Sequence, residues 1–135
     1  MPKLPENVQS VMRKGHNMWV ATTGEDGTPN IAIKGSGALL DDEHLYFADL
    51  FSKKTRANLL QNNRVAVAIY EPDDDVAVQV KGEATFIDAG PLFEKVSGAI
   101  EAMQAGLPPI KSVIRISVDS VWDLSAGPNA GERIV

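Results

Sequence analysis

The chain has 135 residues, a net charge of -5, a pI near 4.9 and no cysteine. Its length suits one domain, residues 1–135, burying about 70% of the unfolded surface. The acidic balance argues against nucleic acid and anionic membranes as partners, since both recruit basic faces. The missing cysteines exclude disulfides, thiolate nucleophiles, iron–sulfur clusters and sulfur-ligated zinc.

The first stretch, "MPKLPENVQSVMRKG", has no apolar signal region, and no apolar run is long enough to span a bilayer. The expected location is the cytoplasm. Residues 5–14 read as a short helix with Pro5 at its start and Gly15 as its stop. "MWVATTGEDGTPNIAI" then gives two strand-like runs around Asp26-Gly27, a pair that permits a tight hairpin. "GSGALLDDEHLYFADL" repeats that arrangement around the acidic turn Asp41, Asp42 and Glu43.

"FSKKTRANLLQNN" follows, a short helix with Ser52 as its expected N-cap. In "RVAVAIY", Val65, Val67 and Ile69 share one face and Ala66 and Ala68 the other. Both faces are apolar, so the strand is expected to be covered on both sides, by a helix or a second subunit. "VAVQVKGEATFI" alternates with Val76, Val78, Val80, Ala84 and Phe86 on one face. Gly82 falls in phase with them, which predicts a bend.

Residues 91–105 form a helix with the stripe Phe93, Val96, Ile100 and Met103, ended by Gly106. "SVIRISV" is the last strand, and the tail "SAGPNAGERIV" reads as irregular. The expected fold is mainly β: a six-stranded antiparallel split β-barrel with two to three short helices.

Standard catalytic equipment is scarce. His16 follows a helix stop, His44 sits in an acidic turn, and neither has a partner at metal-pair spacing. No serine lies in a nucleophile elbow. "EPDDD" and "DDE" lack EF-hand spacing and read as hairpin turns, so no metal site and no catalytic residue is assigned.

The exception is the knot of Lys53, Lys54 and Arg56. A helix start presents unpaired N–H groups and partial positive charge, and normally carries Asp or Glu. Lysines there are at the unfavourable end unless an anion joins them; the alternative is a plain solvated basic turn. Two charge-assisted hydrogen bonds and the helix terminus supply about 5–8 kcal/mol at best, millimolar to micromolar before ordering costs. Tight retention therefore needs an apolar body on the ligand as well. Candidate walls are the small faces at Ala66, Ala68, Gly35 and Gly37 and the aromatics Trp19, Tyr46, Phe47 and Trp122. Lys34 in "NIAIKGSG" shares a face with Ala32 and Ser36, opposite Ile31 and Ile33, and reads as outward-facing or as a ligand contact.

Over about residues 15–90, the hairpin "ATTGEDGTPNIA", the strand ending in "LYFAD", "SKKTRANLLQNNRVAVAIY" and "VQVKGEATFI" together resemble the FMN-binding split-barrel family. That family includes pyridoxamine 5'-phosphate oxidase and small stand-alone FMN-binding proteins. The resemblance implies a homodimer with FMN at the subunit interface and a small-molecule electron donor or acceptor. Carried over, Ser52, Lys53, Lys54 and Thr55 hold the FMN phosphate, Ile33, Lys34 and Gly35 contact the ring, and Asp49 lies near the ribityl and phosphate region. Lys53 stands where the oxidases have arginine, and the tail lacks their basic, aromatic substrate grip. The resemblance therefore points to the small FMN-binding members and to flavin-dependent redox chemistry. The alternatives are a flavin carrier or sensor without turnover, and the same fold holding a deazaflavin or haem. Trp122 reads as a core residue, or as a shelter for the ring across the dimer.

Overall fold

Six strands close into one antiparallel barrel in the order β1-β2-β3-β6-β5-β4, in a computed structural model that describes residues 1–135. They are β1 (His16–Thr23), β2 (Pro29–Asp41), β3 (His44–Asp49), β4 (Arg64–Glu71), β5 (Val76–Ile87) and β6 (Ser112–Asp123). The helices are α1 (Glu6–Arg13), α2 (Lys54–Gln61) and α3 (Pro91–Ala102). Closure leaves no edge strand to template pairing with another chain. No helix is long and apolar enough to cross a membrane.

The alternation read along the strands is the alternation that fills the barrel. Val65, Val67 and Ile69 of β4, Val76, Val78, Val80 and Ala84 of β5, and Ile114, Ile116 and Val118 of β6 all belong to one buried cluster. Val8, Val11 and Met12 of α1 and Leu59 of α2 join that cluster. α1 enters where β1 starts and α2 where β3 ends, so the two helices close opposite ends of the barrel. Gly27 turns the β1–β2 hairpin with φ 84°, as the Asp26-Gly27 pair predicts.

Gly82 marks a register shift between β5 and β6, at Lys81 and Gly82. A Cβ there would lie 2.1 Å from the Ser117 carbonyl oxygen, and backbone inside a closed ladder has little room to retreat. Gly82→Ala is expected to cost about 2–3 kcal/mol, read from the urea midpoint. An alanine variant with the wild-type midpoint would show that the two strands can separate freely.

Two expectations need correction. β6 runs on to Asp123, and Trp122 lies half-buried on the barrel's outside, not in its core. Its Nε1 donates to Ser120 Oγ at 2.7 Å, and the Lys81 ammonium sits 4.6 Å from the ring centroid. α3 stops at Ala102, because Gln104 (φ 50°) and Gly106 (φ 69°) turn the chain left-handed and leave Met103 exposed. Ala66 and Ala68 are half-buried, and of the two expected covers the helix is not the one that lies on them. The helices pack elsewhere: α2 on β1 and β2, α3 on β6, and α1 on β2 and β5.

Candidate functional site

Everything of interest gathers where β3 hands over to α2. α2 starts at Lys54 with Lys53 as its N-cap, no side chain caps it, and its first turn contains no acid. Ser52 is therefore not the cap the sequence suggests. Lys53 adopts helical φ and ψ (−108°, −71°), so the cap position moves one residue along. The Ser52 hydroxyl instead accepts from Lys34 Nζ at 2.6 Å. The N–H groups of Lys54, Thr55 and Arg56 have no carbonyl acceptor. Lys53 and Lys54 are exposed and take part in no ion pair. Ser52 and Thr55 are buried, so only the two lysines of the expected phosphate set present open side chains.

Lys34 faces the other way from the outward reading. It pairs in register with Met18, which is fully buried, while Ile31 and Ile33 point out and are 67% and 62% exposed. That facing follows from plain alternation with Ala32, which pairs with the buried Val20; a bulge comes only beyond Lys34, where between the pairs His16–Gly37 and Met18–Lys34 β1 advances two residues and β2 three. That extra residue breaks the alternation, so Lys34 and Gly37 both pair with the inward side while Ser36 leaves the Ala32–Lys34 face. Ser36 Oγ instead accepts from the Ala48 N–H at 2.9 Å.

The Lys34 ammonium lies 5.7 Å from the Phe47 ring centroid. Burial holds its pKa below the ordinary lysine value, against a smaller opposing pull from the Asp49 carboxylate. The folded state thus binds fewer protons than the unfolded chain between the two pKa values. Lys34 penalises the fold while charged, and the penalty fades as pH rises through the folded pKa toward 10.5. Lys34→Met is expected to raise the thermal midpoint of the cofactor-free protein at neutral pH and to remove this alkaline gain. A lower midpoint would show that the ammonium stabilises its pocket.

Asp49 ends β3 with 0% exposure, so it stands behind the site rather than in it. Its Oδ2 accepts from Arg56 Nη1 at 2.5 Å, while Oδ1 is buried without a partner. Arg56 also donates to Ser112 Oγ at 3.3 Å, and its guanidinium lies 5.0 Å from the Phe86 ring centroid. Ser112 donates in turn to Asp88 at 2.5 Å. The basic knot therefore divides: Arg56 is spent internally, tying α2 to β3 and β6, and Lys53 and Lys54 stay open. Nothing in the sequence around Arg56 separates it from the lysines.

Two hollows lie in this region. One, of about 580 Å³, lies between the β1–β2 hairpin and α2, with a polar lining that includes Asp26, Asn30, Lys54, Asn58 and Gln61. The Thr28 N–H and hydroxyl, with a minor pull from Lys54, hold the Asp26 carboxyl below its usual value. The other, of about 430 Å³, lies between β2 and α3 and is mainly apolar. It contains the three expected ring contacts, Ile33, Lys34 and Gly35, and Lys34 connects it to Ser52. The structure thus joins Lys34 to Ser52, which directly precedes Lys53, Lys54 and Thr55, sets Ile33 and Gly35 with Lys34 in the apolar cleft, and places Lys54 on the polar hollow.

The family model described as pyridoxamine 5'-phosphate oxidase matches residues 4–125. The uncharacterized protein MJ0282 of Methanocaldococcus jannaschii is 31% identical over 119 residues, covering 87% of this chain and 78% of its own. Among solved structures, HupZ of Group A Streptococcus superposes with a TM-score of 0.76 at 24% identity, over 95% of this chain and 99% of that one. An FMN-binding protein from Syntrophomonas wolfei gives 0.76 at 16% identity, over 90% and 86%. An F420 reductase gives 0.68 at 22% identity, over 87% and 98%. At these identities the structural matches speak for the barrel alone.

Proposed function

The chain belongs to the pyridoxamine 5'-phosphate oxidase family, and on that premise we propose that it is an FMN-binding protein, acting as a flavin-dependent oxidoreductase or electron-transfer protein. The observation that carries this reading is the conjunction at the start of α2. Free N–H groups and two unpaired lysines stand there, joined through Ser52 and Lys34 to an apolar cleft. An anionic head with a planar, mainly apolar body fits that set of donors and walls.

In this reading Lys53, Lys54 and the α2 N–H groups hold the phosphoryl end, and Ser52 orients Lys34. Ile33, Lys34 and Gly35 border the ring, and the walls of the cleft exclude water. A phosphoryl dianion near Lys34 would also favour its ammonium form and offset the cost of burying it. FMN, when bound, supplies the redox chemistry; no side chain of the chain is assigned as acid or base.

The outward faces of β1, β2 and β4 support a homodimer with the cofactor at its interface. Ile31 and Ile33 are 67% and 62% exposed, and by register they flank Ala21 and Trp19, which pair with Ala66 and Ala68. Pyridoxamine phosphate oxidation is not part of the proposal, because the cleft offers Lys34 as its one cation.

The absorption spectrum of freshly purified protein, followed by assays of NADH and NADPH oxidation with and without oxygen, tests the reading. A flavin spectrum with turnover is expected. A flavin spectrum without turnover would leave a carrier or sensor, and a deazaflavin or haem spectrum would replace FMN. Colourless protein whose melting temperature ignores added FMN would contradict cofactor binding altogether.

A further inference from the structure

The anion seat hangs on a connection with little backbone support. Leu50, Phe51 and Ser52, which carry the chain from β3 to α2, take part in no backbone hydrogen bond. Phe51 is 70% exposed, and the two residues after Ser52 are the open lysines. Such a segment opens readily unless side chains hold it. Two polar ties do so. Ser52 Oγ accepts from Lys34 Nζ, and Arg56 Nη1 donates to Asp49 Oδ2.

Only the second tie spans the connection. Asp49 is the last residue of β3 and Arg56 the third of α2, so their bond closes residues 49–56 into a ring. Both partners are fixed from behind. The Asp49 carbonyl accepts from the Lys111 N–H at 3.0 Å, and Asp49 pairs in register with Ser112 of β6. Arg56 donates a second bond to Ser112, which donates in turn to Asp88. The ring is thereby fastened to the barrel wall. Arg56 also carries one of the three N–H groups without an acceptor, so holding its side chain fixes how the first turn presents all of them.

We propose that Asp49 and Arg56 are positioning residues for the anion seat: their ion pair holds the β3–α2 connection in the conformation that presents the open N–H groups with Lys53 and Lys54, so phosphoryl affinity depends on two side chains that do not touch the ligand. For the identity of the anion this rests on the FMN reading. The pair carries no net charge, so deleting it changes the shape of the seat far more than its field. What is lost is preorganisation. Residues 50–53 must then be ordered when the anion arrives, and that ordering is subtracted from affinity. A purely structural anchor would instead affect FMN and riboflavin alike.

Fluorescence titration of FMN and riboflavin, on wild-type protein and on the Asp49→Asn, Arg56→Met pair, tests this, because only FMN brings a phosphoryl group. The paired variant is expected to lose about tenfold or more in FMN affinity, with riboflavin within a factor of about two and the urea midpoint near wild type. Limited trypsin digestion of the cofactor-free proteins reads the connection itself. Cutting after Lys53 and Lys54 is expected to run about fivefold or more faster in the variant, since it follows the population of the open form. An unchanged FMN-to-riboflavin ratio, or unchanged cutting at both lysines, would overturn the proposal. Arg56→Lys keeps Asp49 compensated but gives up the fork that also reaches Ser112. Its ratio is expected to fall between the other two, so the test stands even where the paired variant fails to fold, and a wild-type ratio in Arg56→Lys would then overturn it. Wild-type protein that binds both flavins alike would defeat the FMN reading instead, with the digestion still deciding whether the pair holds the connection.

Discussion

Replacing Lys53 and Lys54 together by alanine is expected to weaken FMN binding by about 3–6 kcal/mol, roughly two to four orders of magnitude in Kd. Each ammonium contributes about 1.5–3 kcal/mol when it donates to a charged acceptor, and Lys54→Ala alone removes one such share. The same change is expected to stabilise the cofactor-free protein slightly. Both lysines stand at the positive end of α2, with no acid in its first turn and no ion-pair partner, and each such placement costs about 0.3–1 kcal/mol. Opposite signs for affinity and stability separate a ligand seat from a structural feature. Because both side chains are exposed, wild-type affinity is also expected to fall as salt rises, and the double variant to lose that dependence. Fluorescence titration across ionic strengths reads both effects. A double variant that holds FMN as tightly as wild type removes the lysines from the site.

Arg56→Ala is expected to destabilise the fold by about 3 kcal/mol, the lower end of the range for breaking a buried ion pair. The lower end applies because the Arg56 side chain is 30% exposed, whereas Asp49 is fully buried. Removing the guanidinium strands a carboxylate that already has one unpartnered oxygen, Oδ1, and releases the Ser112 hydroxyl. The paired replacement Asp49→Asn with Arg56→Met is expected to recover most of the loss, since no buried charge remains uncompensated. Urea unfolding of the three proteins measures this. A single variant within about 0.5 kcal/mol of wild type would mean that α2 is anchored by Leu59 and its other apolar contacts alone.

The barrel was legible because its signals are local. Strict alternation in β5, the Asp26-Gly27 turn and an in-phase glycine at position 82 each describe a few neighbouring residues, and all three appear in the structure. What sequence reading missed depends on register between distant segments. The facing of Lys34 turns on its pairing with the buried Met18 of β1, and the departure of Ser36 from that face on a bulge opposite Asn17, neither of which a pattern within β2 reveals. The division of labour between Arg56 and the two lysines turns on Asp49, Ser112 and Asp88 arriving from three other places in the chain. Ser52 looked like a cap because serine caps helices well, yet a lysine eighteen residues earlier in the chain claims its hydroxyl. The cation cluster itself was visible as a departure from ordinary helix-end chemistry.

In the proposed function, the start of α2 seats the phosphoryl group of a flavin nucleotide. Comparing the affinities of FMN and riboflavin for the purified protein tests it most directly, because the two differ only in that group. FMN is expected to bind at least about a hundredfold more tightly, and the gap is expected to close in the Lys53→Ala, Lys54→Ala protein. Riboflavin binding as tightly as FMN to the wild-type protein would contradict it.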